Sequence, residues 1–592
     1  MYRSLSEYVT RLERAGELVR ITTLVDPIYE IAEVTDRVSK STGGGKALLF
    51  ENTGTAFPVL TNLFGSDRRM ALALGTESLE ALTTRIDALL QQALTPKNTF
   101  ADKLRMLPML AEMSRWFPRI TRARGACQQV IHTGADASLA ALPILKCWGC
   151  DGGRFVTLPM VHTLDPQTGA RNVGMYRMQI FDERTTGMHW HIHKTGARHY
   201  EAYKRLGKRM PVAVALGGDP AYTYAATAPM PDNMDEYLLA GFLRRKPVQL
   251  VHCLTNELLV PADCDFVIEG YVDPAEEKTV EGAFGDHTGF YSLTDRYPLF
   301  HVTAITHRHN AIYPATVVGV PPQEDSYIAK ATERIFLAPI RLAVQPEVVD
   351  LTMPTAGTAH NLAVVSIARR YEGQAAKVAQ GLWGAGQMMF NKYLLITPAT
   401  TDVRNTQHLA KLIRSADLHR DLIRSEGILD VLDHATATLG FGGKLALDLT
   451  NQQPTEATTE AINGEDYQAM WGVTIAFTEH DAEVKTPSES KYFVLFDTAA
   501  QGLSGEELLW LAAANTDPRR DVSLCGETLR IDARSKRPGE ASYPSRFPNV
   551  VTALPATIDL VDSRWAEYHI GTFIESPSRR YRALLHSEQE DW

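Results

Sequence analysis

Residues 172–200 read NVGMYRMQIFDERTTGMHWHIHKTGARHY, the densest collection of chemical groups in the chain. His189, His191 and His193 stand at every second position, so in an extended strand all three point to one side. The simplest reading is a pair of strands, 175–181 and 188–193, joined by the polar turn 182–187. One strand end then offers the Asn172 amide and the Arg177 guanidinium. The other offers imidazoles and the Lys194 ammonium. Together they form a cradle for an anion with a metal beside it. The plainer alternative is a surface hairpin whose histidines face water.

Outward from this hairpin, residues 126–335 are dominated by strand signals: 128–132, 155–163, 212–216, 248–252, 266–271, 299–307 and 312–318. Many antiparallel strands with short turns predict a barrel or sandwich-like β domain. One helix interrupts it, starting at Pro231-Asp232, with Glu236 off its buried stripe and near its positive end. A second rich segment is Glu281-Gly-Ala-Phe-Gly-Asp-His-Thr-Gly-Phe-Tyr291. Its glycines allow sharp turns, and such a loop can aim Glu281 and Asp286 at one point. Two carboxylates in one pocket separate their pKa values, which makes one a candidate proton donor. The structural alternative is a solvated acidic turn.

The flanks differ from this centre. Residues 1–125 mix helices and short strands into an α/β part. Its glycine run 43–45 fails as a phosphate loop, because Ala47 stands where a hydroxyl is needed. Residues 336–450 alternate strand and helix, which argues for an α/β domain with a mainly parallel sheet. The remainder, 451–592, is an extension after the polar linker 451–464. Lys392-Tyr-Leu-Leu-Ile-Thr and Lys491-Tyr-Phe-Val-Leu-Phe-Asp begin similar units, as do Asp417-Leu-His-Arg-Asp421 and Asp517-Pro-Arg-Arg-Asp521. We therefore expect the extension to repeat the α/β unit.

Length and composition bound the function. At 592 residues several domains are expected. Lys+Arg of 60 against Asp+Glu of 70 gives a net charge of −10 and argues against a general nucleic-acid binder. No long apolar window predicts a membrane span, and charges break up the N-terminal helix, so it does not read as a secretory signal. A cytoplasmic protein is expected. Six cysteines make no disulfide framework, and Cys147-Trp-Gly-Cys150 lacks a second pair for a thiolate zinc site.

With these residues in hand, the chain resembles the UbiD family of decarboxylases, which use prenylated FMN. The resemblance runs in register from residue 1 to about 450. It is carried by Asp26-Pro-Ile-Tyr-Glu-Ile-Ala-Glu33, Ala47-Leu-Leu-Phe-Glu-Asn52, Val59-Leu-Thr-Asn-Leu-Phe-Gly65, Asn172-x-Gly-x-Tyr-Arg177, Pro231-Asp-x-x-x-Glu236-Tyr, Asn256-Glu-Leu-x-Val-Pro261 and Glu281-Gly-x-x-Gly-Asp286-His-Thr-Gly. It implies a multidomain subunit of mixed α/β and β class. An N-terminal α/β part precedes a central split β-barrel that binds the flavin, and a C-terminal α/β domain makes oligomer contacts. Dimers or hexamers are expected.

The resemblance also implies roles. Asn172 and Glu236 are metal ligands, suited to a hard ion such as Mn²⁺ or Mg²⁺, with K⁺ as a companion. The family's histidine ligand falls on Thr195 here, so His193, His191 or water takes that place, and we carry His193 forward. Met175, Tyr176, Arg177, His189, Trp190, His191, Lys194 and Thr195 fall on cofactor-contact segments. Lys444 resembles a lysine that reaches the cofactor phosphate, with Lys536 in Arg534-Ser-Lys536 as a competing match. Arg177 meets the substrate carboxylate, Glu281 joins it, and Asp286 delivers the proton that replaces CO₂. A flavin prenyltransferase supplies the cofactor. The fit is closest to the quinone-precursor branch: a prenylated hydroxybenzoate or dihydroxynaphthoate, with peripheral contact at the inner membrane. Two alternatives are a decarboxylase or carboxylase of a small aromatic or heteroaromatic acid, and a non-catalytic flavin-binding subunit.

Overall fold

In the computed structural model, which describes residues 1–96, 98–452, 468, 471–480, 482–540, 543 and 547–586, the alternating apolar strands of the centre form one antiparallel sheet. Its order is Thr185–Gly187, Leu299–His307, Phe266–Val272, Met210–Leu216, Met160–Leu164, Arg171–Met175, with Val130–Thr133 added beside Leu299–His307. Met210–Leu216 is buried along its whole length, as befits a strand in mid-sheet with a face against each neighbouring layer. Arg171–Met175 lies at one end, paired only with Met160–Leu164, so that Thr163 sits opposite Asn172. The described pairings leave this sheet open.

Three expectations need correction here. Residues 188–193 are not a strand. The chain leaves the sheet after Gly187, Trp190 N–H bonds back to the Met188 carbonyl, and a turn leads into the helix Thr195–Leu206. The backbone must turn there to start the helix, and the every-second-residue geometry assumed for the histidines is lost. The helix expected from Pro231 begins instead at Glu236. Asp235 caps it, accepting from Tyr237 N–H, because a short acidic side chain can satisfy a first-turn donor that proline leaves open. Of the strand expected over 312–318, only Tyr313–Pro314 forms, and it pairs with Val59–Thr61 of the N-terminal sheet.

Four strands of the first C-terminal sheet, whose fifth is the antiparallel edge strand Val348–Thr352, share their plan with the second sheet. In the first, Leu362–Ile367, Tyr393–Pro398 and Phe441–Asp448 run parallel and Leu422–Ile428 returns antiparallel. In the second, Val473–Thr478, Tyr492–Asp497 and Thr528–Asp532 run parallel and Val522–Cys525 returns antiparallel. Small contacts match too. Asp417 N–H bonds Asp421 Oδ2 at 2.8 Å, and Asp517 N–H bonds Asp521 Oδ2 at 2.8 Å. Leu445 N–H meets the Lys392 carbonyl and Leu529 N–H the Lys491 carbonyl, each at 2.9 Å. The units pack on each other through Leu412, Leu445, Leu447, Tyr492, Val522 and Leu529. The linker expected at 451–464 lies, from residue 453, outside the described residues.

The extension then returns to the front of the chain. Its helix Pro555–Arg564 lies along Glu30–Ser39. Buried Arg37 joins Glu33 and Asp562, each at 2.7 Å, and Tyr568 donates to Glu30 at 2.6 Å.

Candidate active site

Two clusters sit at the end of the Asn172 strand, five residues apart along the chain. Arg177 carries the first. Its Nε donates to Glu281 Oε1 at 3.0 Å and its Nη2 to Ser292 Oγ at 2.9 Å and Glu281 Oε2 at 3.3 Å, while Nη1 contacts Asp286 Oδ2. The guanidinium sits over the Phe284 ring, its Cζ 4.7 Å from the ring centroid. The loop aims its carboxylates because it is folded into two short ribbons. Thr279–Glu281 pairs with Asp295–Tyr297, and Phe284–Gly285 pairs with Tyr291–Ser292. Gly282 takes φ +105° between the ribbons, a conformation L side chains avoid. Arg177, Glu281 and Asp286 are all buried.

Burial alone would raise both carboxyls. The Arg177 guanidinium, with His189, outweighs it and holds Glu281 at about 2. Arg177 and His287 likewise hold Asp286 well below the usual carboxylate range. His287 donates from its backbone N–H to Asp286 Oδ1 at 2.8 Å and places Nδ1 3.0 Å away. Burial works against its charged form, but the Asp286 carboxylate pushes it up to about 9. His189 Nδ1 lies 2.8 Å from Glu281 Oε2, and its Nε2 meets His191 Nε2. Burial lowers both imidazoles. A neutral His189 then donates to the carboxylate through Nδ1 and accepts from His191 through Nε2.

The His287 pair gives a stability prediction. A histidine whose folded pKa is raised stabilises the native state fully below its unfolded value, and that contribution is lost as pH rises through the folded value. Asp286, Asp325 and Asp430 favour the His287 cation, with the His360 ring nearby. The thermal-midpoint gap between wild type and His287→Gln should be constant below about pH 6.5 and close as pH passes about 9. A gap that widens over that span contradicts the assignment.

The second cluster is built on Asn172 and Glu236. Glu236 Oε2 accepts from Val173 N–H at 2.8 Å, which sets the carboxylate against the backbone beside Asn172. Asn172 donates to Thr163 Oγ1 at 3.3 Å and also bonds the Tyr176 hydroxyl. Burial pushes Glu236 up to about 8, eased by the Val173 N–H. The helix Thr195–Leu206 begins here, with Gly196 N–H donating to Tyr176 Oη at 3.4 Å and no cap from the Lys194 side chain. Trp190 is buried with its Nε1 unpartnered among the described residues. Met175 is half-buried and turns into the neighbouring apolar core.

Three sequence expectations fall elsewhere. His193 is exposed and lies 6.1 Å from the Phe390 ring on the C-terminal domain, because the turn after His191 swings it outward. Lys194 also faces Phe390, at 5.4 Å. Lys444 donates to the carbonyls of Met389 and Asn391 at 2.7 and 2.6 Å; its ammonium is committed inside the C-terminal domain. The competing Lys536 is committed to the carbonyls of Asp532 and Arg534. The buried histidine near Asn172 is His199, whose Nδ1 is 2.9 Å from Thr163 Oγ1. Reading residues 195–206 as a helix would have brought His199 back toward the strand. Ser292, which accepts from Arg177, and Tyr297, whose ring centroid lies 4.2 Å from that of His189, carried no sequence signal.

Among the described residues, no group of three His, Cys, Asp or Glu is placed to hold a metal. The Asn172 and Glu236 oxygens are a hard but sparse donor set. Such a set suits an ion that keeps waters and completes its shell with phosphate oxygens. Besides the Gly196 N–H, which Tyr176 Oη accepts, the first turn of the helix offers backbone N–H groups for that phosphate. The residues therefore fit a phosphate-bearing cofactor bridged by a divalent ion.

The chain is similar to known proteins in sequence and in fold. Three family models match in order: the 3-octaprenyl-4-hydroxybenzoate carboxy-lyase N-terminal domain over residues 9–89, the Rift-related domain over 119–321 and the C-terminal domain over 326–449. An uncharacterized protein of Aquifex aeolicus is 48% identical over 463 residues, 77% of this chain and 94% of that one. One from Archaeoglobus fulgidus is 44% identical over 488 residues, 82% and 96% of the two chains. The closed form of vanillic acid decarboxylase from Sedimentibacter hydroxybenzoicus superposes with a TM-score of 0.68 at 25% identity, covering 78% of this chain and 95% of that one. The UbiD-class enzyme HmfF from Pelotomaculum thermopropionicum, solved with FMN, gives 0.65 at 26% identity, covering 78% and 98%. This chain belongs to the UbiD family of carboxy-lyases.

Proposed function

We propose that this enzyme releases CO₂ from an aromatic or α,β-unsaturated carboxylic acid with prenylated FMN, and that its substrate is a quinone precursor. The observation that carries the reading is one buried guanidinium shared by Glu281 and Asp286 at the end of the strand that bears Asn172. Prenylated FMN, when bound, supplies the electron sink that no side chain here provides. Asn172 and Glu236 would hold its phosphate through Mn²⁺ or Mg²⁺, with K⁺ as companion. The start of the Thr195 helix, with Tyr176 and Trp190, would line it.

The chain's own residues then order the acid–base step. Arg177 has four donor contacts already in use. One N–H on Nη1 remains, so a substrate carboxylate that engages the guanidinium through both oxygens must share a donor with Asp286 or Glu281. That sharing weakens the cation's hold on Asp286 and adds a like charge, and both raise its pKa. Asp286, ionised beforehand, can then take up a proton from solvent and deliver it to the carbon that loses CO₂. Glu281, tied to His189 and His191, stays ionised and keeps Arg177 in place.

The carboxy-lyase description of the matched family supports the quinone-precursor branch. Likeness to a vanillic acid decarboxylase supports a second reading, a small aromatic acid. Activity on prenylated hydroxybenzoate or dihydroxynaphthoate but not on vanillate-sized acids favours the first. No helix among the described residues is long and apolar enough to cross a membrane, so a lipidic substrate would be met by peripheral contact. The metal reading has its own test. Glu236→Gln should lose most bound Mn²⁺ by electron paramagnetic resonance titration while keeping its fold. Unchanged Mn²⁺ affinity removes Glu236 from the ligand set.

A further inference from the structure

The family models end at residue 449, yet the extension beyond them reaches the catalytic loop. Trp510, on the helix Gly505–Asn515 of the second α/β unit, donates from Nε1 to the Thr288 carbonyl at 2.7 Å, with both groups buried. Gly289 takes φ +85°, and a Cβ there would stand 2.5 Å from Trp510 Cζ2, so the loop backbone lies directly on the indole. Farther along the extension, Val551 N–H donates to the Gly289 carbonyl at 2.9 Å and Tyr291 N–H to the Asn549 carbonyl at 3.1 Å. Phe290 and Val550 form an antiparallel bridge between these bonds. The Phe290 ring is enclosed by His434, Trp510 and Phe547.

These contacts consume the outward backbone groups of the turn that carries Asp286. The inner groups are used within the turn: Asp286 N–H donates to the Phe290 carbonyl at 3.1 Å and Gly289 N–H to the Asp286 carbonyl at 3.0 Å. Buried backbone groups without partners are costly, so the turn as folded depends on the extension. The segment is itself anchored on both sides, by the second α/β unit and by the Arg37 and Glu30 contacts to the N-terminal part.

We propose that the extension is a positioning device for the proton-donor loop. Trp510 and the strand segment 549–551 fix residues 286–291 so that the Asp286 carboxylate reaches Arg177. Trp510 is a positioning residue that acts through Asp286. The proposal rests on the role given to Asp286 above, and its test separates the two.

The test compares wild type, Trp510→Phe, Asp286→Asn and the double variant, all loaded with prenylated flavin. Trp510→Phe keeps an aromatic ring and removes the donor to Thr288. Backbone amides of residues 285–292 should exchange with deuterium at least several-fold faster in Trp510→Phe, with exchange in the Arg171–Met175 strand unchanged. Its kcat should fall by about ten- to a hundredfold, as expected for a misplaced catalytic group, with KM near wild type. In the Asp286→Asn background the same change should cost little more. Unchanged loop exchange, or an equal kcat loss in both backgrounds, overturns the proposal. If Asp286→Asn proves fully active, the role of Asp286 fails, while the exchange result still reports whether the extension holds the loop. Should Trp510→Phe not fold, Gly289→Ala, which pushes the backbone off the indole, is read by the same exchange criterion.

Discussion

Asp286→Asn should lower the rate of CO₂ release by about 10²–10⁴-fold, the range for removing a general acid, with flavin content near wild type and a thermal midpoint lowered by the lost pairing with Arg177 and His287. Asparagine keeps one oxygen, which can accept from Arg177 or from the His287 backbone N–H but not from both, so one of the two bonds that hold the side chain persists. What is lost is the group that can take up and return a proton. The pH profile sharpens the test. In the free enzyme Asp286 is held ionised by Arg177 and His287 against its burial. Only a bound anion raises it toward the working range. The alkaline limb of kcat, above which Asp286 loses the proton it must deliver, should therefore sit at higher pH than that of kcat/KM, since the first reports the substrate complex and the second the free enzyme. Coincident limbs would argue that substrate does not share the guanidinium.

Arg177→Met should be the most damaging single change to stability. It leaves the Glu281 and Asp286 carboxylates buried without their cation. Removing one partner of a buried ion pair costs about 3–5 kcal/mol, and here two carboxylates lose the same partner. The sign of the pH dependence follows from the depressed carboxyls. Stability from a depressed acid is present above its unfolded pKa and is lost as pH falls through its folded value. The deficit of Arg177→Met relative to wild type should thus be full above about pH 4.5 and shrink as pH falls toward about 2, where Glu281 protonates in wild type. Chemical denaturation at several pH values measures it. A deficit independent of pH would mean that Arg177 acts by packing on Phe284 instead.

How far the sequence carried these conclusions depends on which forces were local. Alternating apolar residues are a local signal, and Leu299–His307 forms a strand over the expected span. Glu281 and Asp286 were legible because closely spaced glycines leave few ways to fold the loop between them. The histidine row misled. Alternation implies a shared face only while the backbone stays extended, and the need to start a helix at Thr195 ended the strand. His193 was thereby turned away and His189 was turned onto Glu281. Lys444 misled for a different reason. A lysine in a strand says nothing about which end of its long side chain finds a partner, and the Met389 and Asn391 carbonyls lie within reach.

The matching strand order of the two C-terminal sheets supports reading Val473–Thr478 through Thr528–Asp532 as a repeat of the preceding α/β unit. The chain from Asn549 onward has no counterpart in that unit and packs on the loop and the N-terminal part. No sequence pattern announced that packing. It is set by contacts hundreds of residues apart, such as Trp510 with Thr288 and Arg37 with Asp562.

The most direct measurement is CO₂ release by the purified full-length chain, loaded either with prenylated FMN or with plain FMN, against a panel of aromatic and quinone-precursor acids. Release is expected from at least one acid with the prenylated cofactor and from none with FMN, and it should be lost in Asp286→Asn. Equal release with either flavin, or from Asp286→Asn as from wild type, would contradict a decarboxylation that needs both the modified flavin and the Asp286 proton.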